Sequence, residues 1–189
     1  MTHGEVGFDP AKSVEFIRET LQTLELPRDK MHMKAARPKC VWQGPPAGIV
    51  KINSDGGFQV DQGLASTGVV ARDGAGFCGA RCKIYEGIVD PLTIEALALR
   101  DGCVLAVDKG FTRLIFEVDS EELVKSWNER LTDRSVIRSI LDDVSELSKN
   151  FLSFRICFVR REANAVHIIA KFGCLQGESV PGMLNLQTF

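Results

Sequence analysis

The stretch IVKINSDGG, residues 49–57, decides the fold. Apolar and polar residues alternate toward its end, which is the pattern of a half-buried β-strand. The glycine pair Gly56-Gly57 predicts a turn directly after it. The Gly- and Pro-rich cluster at residues 44–48 indicates a domain boundary just before it. We therefore expect Asp55 to stand at the end of the first strand of a domain.

The chain after this strand divides into segments with helical or strand-like periodicity. The predicted elements are, in order, strands at 66–72 and 77–85, a helix at 91–109, a strand at 114–119, helices at 121–130 and 136–149, a strand at 151–161 and a helix at 165–173. The sequence Asp73-Gly74-Ala75-Gly76 between the second and third strands is typical of a hairpin. A hairpin meander followed by β-α-β crossovers predicts an α/β fold with a mixed sheet and helices packed on it.

The length of 189 residues suits one domain with an extension. Residues 1–40 are expected to form a short helical extension, with a helix at 10–26 and a linker at 27–40. The helix is predicted because apolar residues recur there at three- and four-residue steps. The domain itself is expected to span residues 41–175, and residues 176–189 a C-terminal tail.

The composition is that of an ordinary globular protein, with 44% hydrophobic and 25% charged residues. A net charge of -2 argues against nucleic-acid binding by charge alone. The six cysteines form no Cys-x-x-Cys pair, so a zinc site is not expected. The sequence shows no secretory signal and no apolar run near the roughly 20 residues that span a membrane. These features predict an intracellular protein, nuclear or cytoplasmic, without a membrane partner.

Three carboxylates stand where chemistry is expected. Asp55 and Asp119 follow two predicted strands, and Glu95 lies in the first turns of the helix after the third strand. If the first and fourth strands are neighbours, the two aspartates meet at one edge of the sheet, and the helix brings Glu95 over them. Oxygen ligands of this kind favour Mg²⁺ or Mn²⁺, and two such ions about 4 Å apart support phosphodiester cleavage.

Each carboxylate also has an ordinary structural interpretation. An Asp before Gly-Gly is commonly a turn residue, and an Asp before a helix-capping Ser is commonly a neighbour of the cap. A Glu near the start of a helix commonly complements the helix dipole. The metal site is therefore a prediction from the three residues as a set.

The chain from about residue 45 to 171 resembles the ribonuclease H-like superfamily, in particular the reverse-transcriptase-like branch abundant in plants. The matching stretches are Trp42 with Gly44-Pro45-Pro46, Lys51–Gly56, Gly68–Asp73, Ile94–Leu99, Glu117–Ser120 and Arg161–Asn164. The order and spacing of these stretches make the resemblance specific. It implies a five-stranded mixed sheet with the first three strands antiparallel and helices on both faces.

The resemblance also implies a chemistry. Asp55, Glu95 and Asp119 match the acids that hold Mg²⁺ in a nuclease that cleaves the RNA strand of an RNA–DNA hybrid and leaves a 3′-hydroxyl. Lower-ranked candidates for substrate contact are Gly56, Ser120, Arg161 and Asn164.

The sequence departs from the family pattern at a fourth acid. Active members carry an Asp four residues after an Asn like Asn164, and here that position is Ile168. His167 is the nearest functional substitute, because a neutral His can bind a metal or carry a proton. Bacterial members bind substrate through a basic segment between their middle helices. The corresponding residues 128–138 contain few basic residues here, only Arg130, Arg134 and Arg138. Other candidate phosphate contacts are Arg72, Arg81, Lys83, Arg160 and Arg161.

Three functions follow as hypotheses. The first is a metal-dependent endonuclease acting on RNA–DNA hybrids, expected to be a monomer. The second is a catalytically weakened module derived from a retroelement that binds hybrids or double-stranded RNA. The third is a protein-interaction domain that uses the helix at 10–26. The retained carboxylates favour the first hypothesis over the third, because clustered acids without a use destabilise a fold.

Overall fold

A computed structural model of the protein describes residues 44–59, 63–130 and 135–161. All of these residues belong to one of the two units into which the chain divides, Cys40–Phe189. The predicted helices at 10–26 and 165–173 and the predicted tail at 176–189 lie outside the described residues.

The described elements follow the predicted order. They are β1 (Val50–Gln59), β2 (Leu64–Asp73), β3 (Gly76–Glu86), α1 (Pro91–Asp108), β4 (Arg113–Val118), α2 (Glu121–Asn128), α3 (Arg138–Ser148) and β5 (Ser153–Phe158). The observed bounds differ from the predicted ones by a few residues, as is usual at the ends of elements.

The five strands form one sheet in the order β3-β2-β1-β4-β5. The first three strands pair antiparallel, and β4 pairs parallel with both β1 and β5. The hairpin between β2 and β3 is closed by Asp73, whose carboxylate accepts hydrogen bonds from the backbone N–H groups of Ala75 and Gly76 at 2.8 and 3.1 Å. The prediction of a mixed five-stranded sheet is confirmed, and β1 and β4 are neighbours in it.

The turn predicted at Gly56-Gly57 is wrong, because β1 continues through both glycines to Gln59. Gly56 pairs with Thr67 and Gly57 with Ser66 on the antiparallel strand β2. A Cβ atom on Gly56 would lie 2.6 Å from Ile94 Cγ2 and 3.1 Å from the Ile94 carbonyl carbon. The missing side chain at residue 56 therefore allows α1 to approach the strand, rather than letting the chain reverse.

All three described helices pack on one face of the sheet around a shared apolar core. Ile52 and Phe116 lie next to Gly102 of α1, where a Cβ atom would be 2.6 Å from the Phe116 ring. The core of this face also holds Leu123 and Trp127 of α2 and Leu141 of α3. The alternation of side chains along a strand then directs the odd-numbered residues of β1 and β4 to the opposite face.

None of the helices among the described residues is both long enough and apolar enough to cross a membrane.

Candidate metal centre

Two neighbouring parallel strands position Asp55 and Asp119. The pairing between β1 and β4 runs from Val50–Leu114 to Asn53–Glu117 and stops there. Beyond this last pair, β1 continues beside β2, while β4 continues beside β5 as far as Val118. Asp55 and Asp119 each follow two residues later, so they reach the same level on the same face of the sheet.

The third carboxylate comes from the start of α1. Pro91 occupies the first turn, where its missing N–H costs nothing, and Asp90 caps the helix by accepting a hydrogen bond from the Thr93 N–H at 2.7 Å. This cap fixes where the helix begins and therefore which turn carries Glu95. The backbone N–H of Glu95 would lie 3.2 Å from a Cβ atom on Gly56. The close contact at Gly56 thus brings Glu95 down to the aspartates.

The three side chains form one cluster. Asp55, Glu95 and Asp119 each offer a carboxylate oxygen that lies within 4.8 Å of the others. Asp55 is fully buried, and Glu95 and Asp119 are half-buried. The sequence prediction that these acids converge is consistent with this geometry, and the cluster sits at the fork where β1 and β4 part.

The electrostatics of the cluster act most strongly on Glu95. Burial, followed by the negative charges of Asp55 and Asp119, raises the pKa of the Glu95 carboxyl to about 9. A hydrogen bond from the Gly56 backbone N–H opposes this rise. Without a cation at the cluster, Glu95 is therefore protonated near neutral pH.

The donor set fits a hard divalent cation. All three groups are carboxylates, and the cluster contains no thiol or imidazole among the described residues. Glu95 Oε2 is buried and has no hydrogen-bond partner within residues 44–59, 63–130 and 135–161. A cation would satisfy that oxygen and remove the repulsion among the three acids. Oxygen-only ligands favour Mg²⁺ or Mn²⁺ over zinc.

The structure describes three of the predicted substrate-contact residues, Gly56, Ser120 and Arg161. Gly56 and Ser120 both lie next to the carboxylates in the chain, and the Ser120 hydroxyl caps α2 by accepting from the Leu123 N–H at 3.1 Å. Arg161 is exposed and places its Nε 3.4 Å from Asp119 Oδ2. Asn164 and His167 lie outside the described residues and remain predictions.

Several cations considered as phosphate contacts are engaged elsewhere. Arg72 is only 2% exposed, so its prediction as a phosphate contact is wrong. Arg81 pairs with Asp108 at 2.7 Å and Arg138 with Asp142 at 2.9 Å. The Arg130 guanidinium lies over the Trp127 ring, 4.1 Å from its centroid. Near these four arginines, the described residues therefore do not form a cluster of cations available to contact phosphates.

Sequence reasoning missed Asn53 and Glu117, which face each other across the last β1–β4 pair. Asn53 Nδ2 donates to Glu117 Oε2 at 3.0 Å, and both residues are buried. The signal was the alternation of polar residues along both strands: Asn53 precedes Asp55 by two residues, and Glu117 precedes Asp119 by two. A strand with a purely apolar core function would not carry that pattern.

Comparison with known proteins agrees with the fold. Residues 53–173 match the family described as reverse transcriptase-like. Over 128 residues, the chain is 33% identical to a candidate ribonuclease H protein of Arabidopsis thaliana, a match that covers 65% of this chain and 20% of the relative. The chain thus matches about a fifth of that curated relative's length.

Solved structures share the architecture at low sequence identity. Ribonuclease H1 of the archaeon Halobacterium salinarum superposes with a TM-score of 0.61 at 22% identity, covering 68% of this chain and 99% of that one. The N-terminal ribonuclease H domain of a Mycobacterium tuberculosis protein gives 0.58 at 19% identity, covering 69% and 99%. LC11 ribonuclease H1, solved in complex with an RNA/DNA hybrid, gives 0.60 at 16% identity, covering 68% and 98%.

These structures support the fold alone, whereas the family match covers most of the chain and includes all three clustered carboxylates. The chain therefore belongs to the reverse transcriptase-like family of ribonuclease H domains.

Proposed function

We propose that this protein is a metal-dependent endonuclease that cleaves the RNA strand of RNA–DNA hybrids. The observation that carries the proposal is the cluster of Asp55, Glu95 and Asp119, whose carboxylate oxygens lie within 4.8 Å of one another in a ribonuclease H-like fold. The family membership and the solved complex of LC11 ribonuclease H1 with an RNA/DNA hybrid support this choice of substrate. One chain carries all three carboxylates, so we expect a monomer to be active.

In this proposal Asp55, Glu95 and Asp119 would hold Mg²⁺ or Mn²⁺, and we expect two ions. When bound, such ions activate a water molecule and stabilise the charge on the leaving oxygen during phosphodiester hydrolysis. The rigid sheet keeps Asp55 and Asp119 at one level, and the capped start of α1 holds Glu95 against them. The products are a 5′-phosphate and a 3′-hydroxyl, because water adds to phosphorus and the bond to the 3′-oxygen breaks.

His167 is the proposed substitute for the fourth acid of the family. A neutral imidazole in that position would accept a proton or complete the metal's ligands. We also propose Gly56, Ser120, Arg161 and Asn164 as substrate contacts. Arg161 has the clearest support, because its exposed guanidinium stands at the edge of the carboxylate cluster, where a phosphate would approach.

The second candidate function is a ribonuclease H-like module, derived from a retroelement, that binds hybrids or double-stranded RNA with little or no cleavage. The observation in its favour concerns three arginines. Arg72 is buried, and Arg81 and Arg138 form ion pairs with residues of the same chain, so fewer cations are available to contact phosphates. Weak contacts to phosphate lower the rate of cleavage, and the sequence also has Ile168 at the position of the family's fourth Asp.

The two candidates are separated by a cleavage assay on a labelled RNA–DNA hybrid with increasing Mg²⁺ or Mn²⁺. The nuclease is expected to produce fragments that end in a 3′-hydroxyl, and only when a divalent ion is added. Asp55→Asn is expected to remove the activity. Double-stranded DNA of the same sequence serves as the control substrate.

Absence of cleavage at high protein concentration with both metals, while hybrid binding is retained, would reject the nuclease in favour of the binding module. Cleavage that persists in Asp55→Asn would show that a contaminating enzyme is responsible. His167→Ala, compared with His167→Asp, tests the fourth position: the aspartate variant is expected to match or exceed the wild-type rate.

A further inference from the structure

A network of buried and half-buried polar side chains lies directly behind the metal centre. We call Lys51, Asn53, Arg72 and Glu117 the β1–β4 clamp. Asn53 Nδ2 donates to Glu117 Oε2 at 3.0 Å, and Arg72 Nη2 donates to Asn53 Oδ1 at 2.8 Å. Lys51 Nζ lies 2.7 Å from Glu117 Oε1. Both ends of the Asn53 amide and both oxygens of Glu117 are therefore engaged, which fixes the orientation of each group.

The clamp lies at the last residue pair between the parallel strands β1 and β4. Asn53 and Glu117 are the final partners in the β1–β4 register, and no further pair between these strands follows in the described residues. Beyond this pair, β1 continues to pair with β2, and β4 continues to pair with β5, so β1 and β4 diverge. The Asn53–Glu117 hydrogen bond therefore joins the two strands at the last pair of their register, two residues before Asp55 and Asp119.

Stability alone is a poor explanation for the clamp. Asn53 is fully buried, and Glu117 and Arg72 are 7% and 2% exposed. Removing ionic and amide groups from water is costly, and apolar side chains of similar volume commonly serve stability as well or better. The best-supported use of such buried polar groups is to set a register or a position. Here the position set is that of β1 and β4 at the point where the two strands diverge.

We propose that Asn53 and Glu117 are positioning residues for the metal centre, which hold Asp55 and Asp119 at the separation that divalent-ion binding requires. The inference rests on the proposed function in one respect, since it assumes that the carboxylate cluster binds a divalent ion. Lys51 and Arg72 orient the pair from either side. Groups that orient metal ligands typically change metal affinity by about 10–100-fold when they are replaced.

The test measures the binding of Mn²⁺ to the full chain by calorimetry, without nucleic acid. Asn53→Leu keeps the branched shape of the side chain and removes both hydrogen bonds, and it is expected to weaken Mn²⁺ binding by at least about tenfold. Val70→Ala is the matched control. Val70 is fully buried, pairs with Asn53 in the sheet and leaves the clamp intact. It is expected to lose stability while keeping its affinity for Mn²⁺.

A second comparison covers the case in which Asn53→Leu does not fold. Asn53→Asp and Glu117→Gln each disturb the clamp, whereas the double variant reverses the polarity of the hydrogen bond and conserves the net charge. The single variants are expected to bind Mn²⁺ weakly, and the double variant to recover most of the loss.

Wild-type affinity in the single variants, an equal loss in Val70→Ala, or no recovery in the double variant would each overturn the positioning role. A wild-type chain that binds no Mn²⁺ would overturn the proposed function and this inference together. Wild-type-like binding by the variants would overturn the inference alone.

Discussion

Asp55 and Asp119 lie at the same level of two parallel neighbouring strands, each two residues beyond the Asn53–Glu117 pair. They are 64 residues apart in the chain and belong to one carboxylate cluster in the fold. Alternation along the strands directs their side chains to the face of the sheet opposite α1. The close approach of α1 at Gly56 brings Glu95 to them, and the Gly56 backbone N–H donates a hydrogen bond to the Glu95 carboxylate. The convergence of the three carboxylates therefore depends on the pairing of β1 with β4 and on the close contact between α1 and Gly56.

Asp55→Asn is expected to lower activity and raise stability at the same time. Replacing a proposed metal ligand is expected to reduce cleavage by at least about a hundredfold, since groups that only orient ligands already cost about 10–100-fold. Without metal, the same change removes one of the mutually repelling charges, so the free energy of unfolding should rise by on the order of 1 kcal/mol. Hybrid cleavage and urea unfolding in EDTA measure the two effects. A loss of both stability and activity would indicate that Asp55 is a structural residue.

The stability of the metal-free protein is expected to fall as pH rises, because of Glu95. Its folded pKa is raised from the ordinary value of 4.5 to about 9, so between these values the folded state holds a proton that the unfolded chain has released. The contribution is complete below about pH 4.5 and is lost as pH rises through 9. Its slope reaches at most about 1.4 kcal/mol per pH unit.

Urea unfolding in EDTA at several pH values measures this slope, and Glu95→Gln is expected to flatten it. The affinity for Mn²⁺ should rise over the same interval, because metal binding requires the ionised carboxylate. A slope of the same size in Glu95→Gln would assign the pH dependence to another group.

Gly56→Ala is expected to damage the site through the backbone. The new Cβ atom would meet Ile94 Cγ2 at 2.6 Å and the backbone of Ile94 and Glu95 at 3.1 and 3.2 Å, so α1 must shift. We expect a loss of about 1–3 kcal/mol in the free energy of unfolding, together with weaker Mn²⁺ binding. Gly74→Ala is the matched control, because a Cβ atom there meets nothing within 4 Å. Equal effects of the two substitutions would argue against a steric role for Gly56.

Asp101→Ala is expected to destabilise the domain without changing the metal site. The buried Asp101 carboxylate accepts hydrogen bonds from Thr67 Oγ1 at 2.6 Å and from the Tyr85 hydroxyl at 2.9 Å, and so ties α1 to β2 and β3. Burial, followed by the charge of Asp101, raises the pKa of the Tyr85 hydroxyl, which therefore remains a donor throughout the physiological range. Loss of the carboxylate removes the short hydrogen bonds of two hydroxyl groups and leaves Thr67 only a longer one, at 3.5 Å to the Lys83 carbonyl oxygen, at a cost of about 2–4 kcal/mol.

Chemical unfolding measures this cost, and Mn²⁺ titration of the folded protein should give the wild-type affinity. Tyr85→Phe removes a single donor and is expected to cost about 1 kcal/mol. A large change in metal affinity in Asp101→Ala would mean that the network at Asp101 also positions Glu95.

The sequence by itself determined the order of the elements and the identity of the three acids. Both are local properties: the period of apolar residues separates strands from helices, and short motifs mark Asp55, Glu95 and Asp119. The sequence brings Asp55 and Asp119 together only if β1 and β4 are neighbours, and the structure shows that they are.

Only the tertiary structure decided what several neighbouring residues do. Gly56 allows a close helix contact instead of a turn, Arg72 is buried instead of meeting phosphate, and Asn53 and Glu117 join two strands ahead of the site. The physical reason is that burial and partners depend on segments far apart in the chain, such as Asn53 and Glu117. Local periodicity records which face a side chain takes, but not what will meet it there.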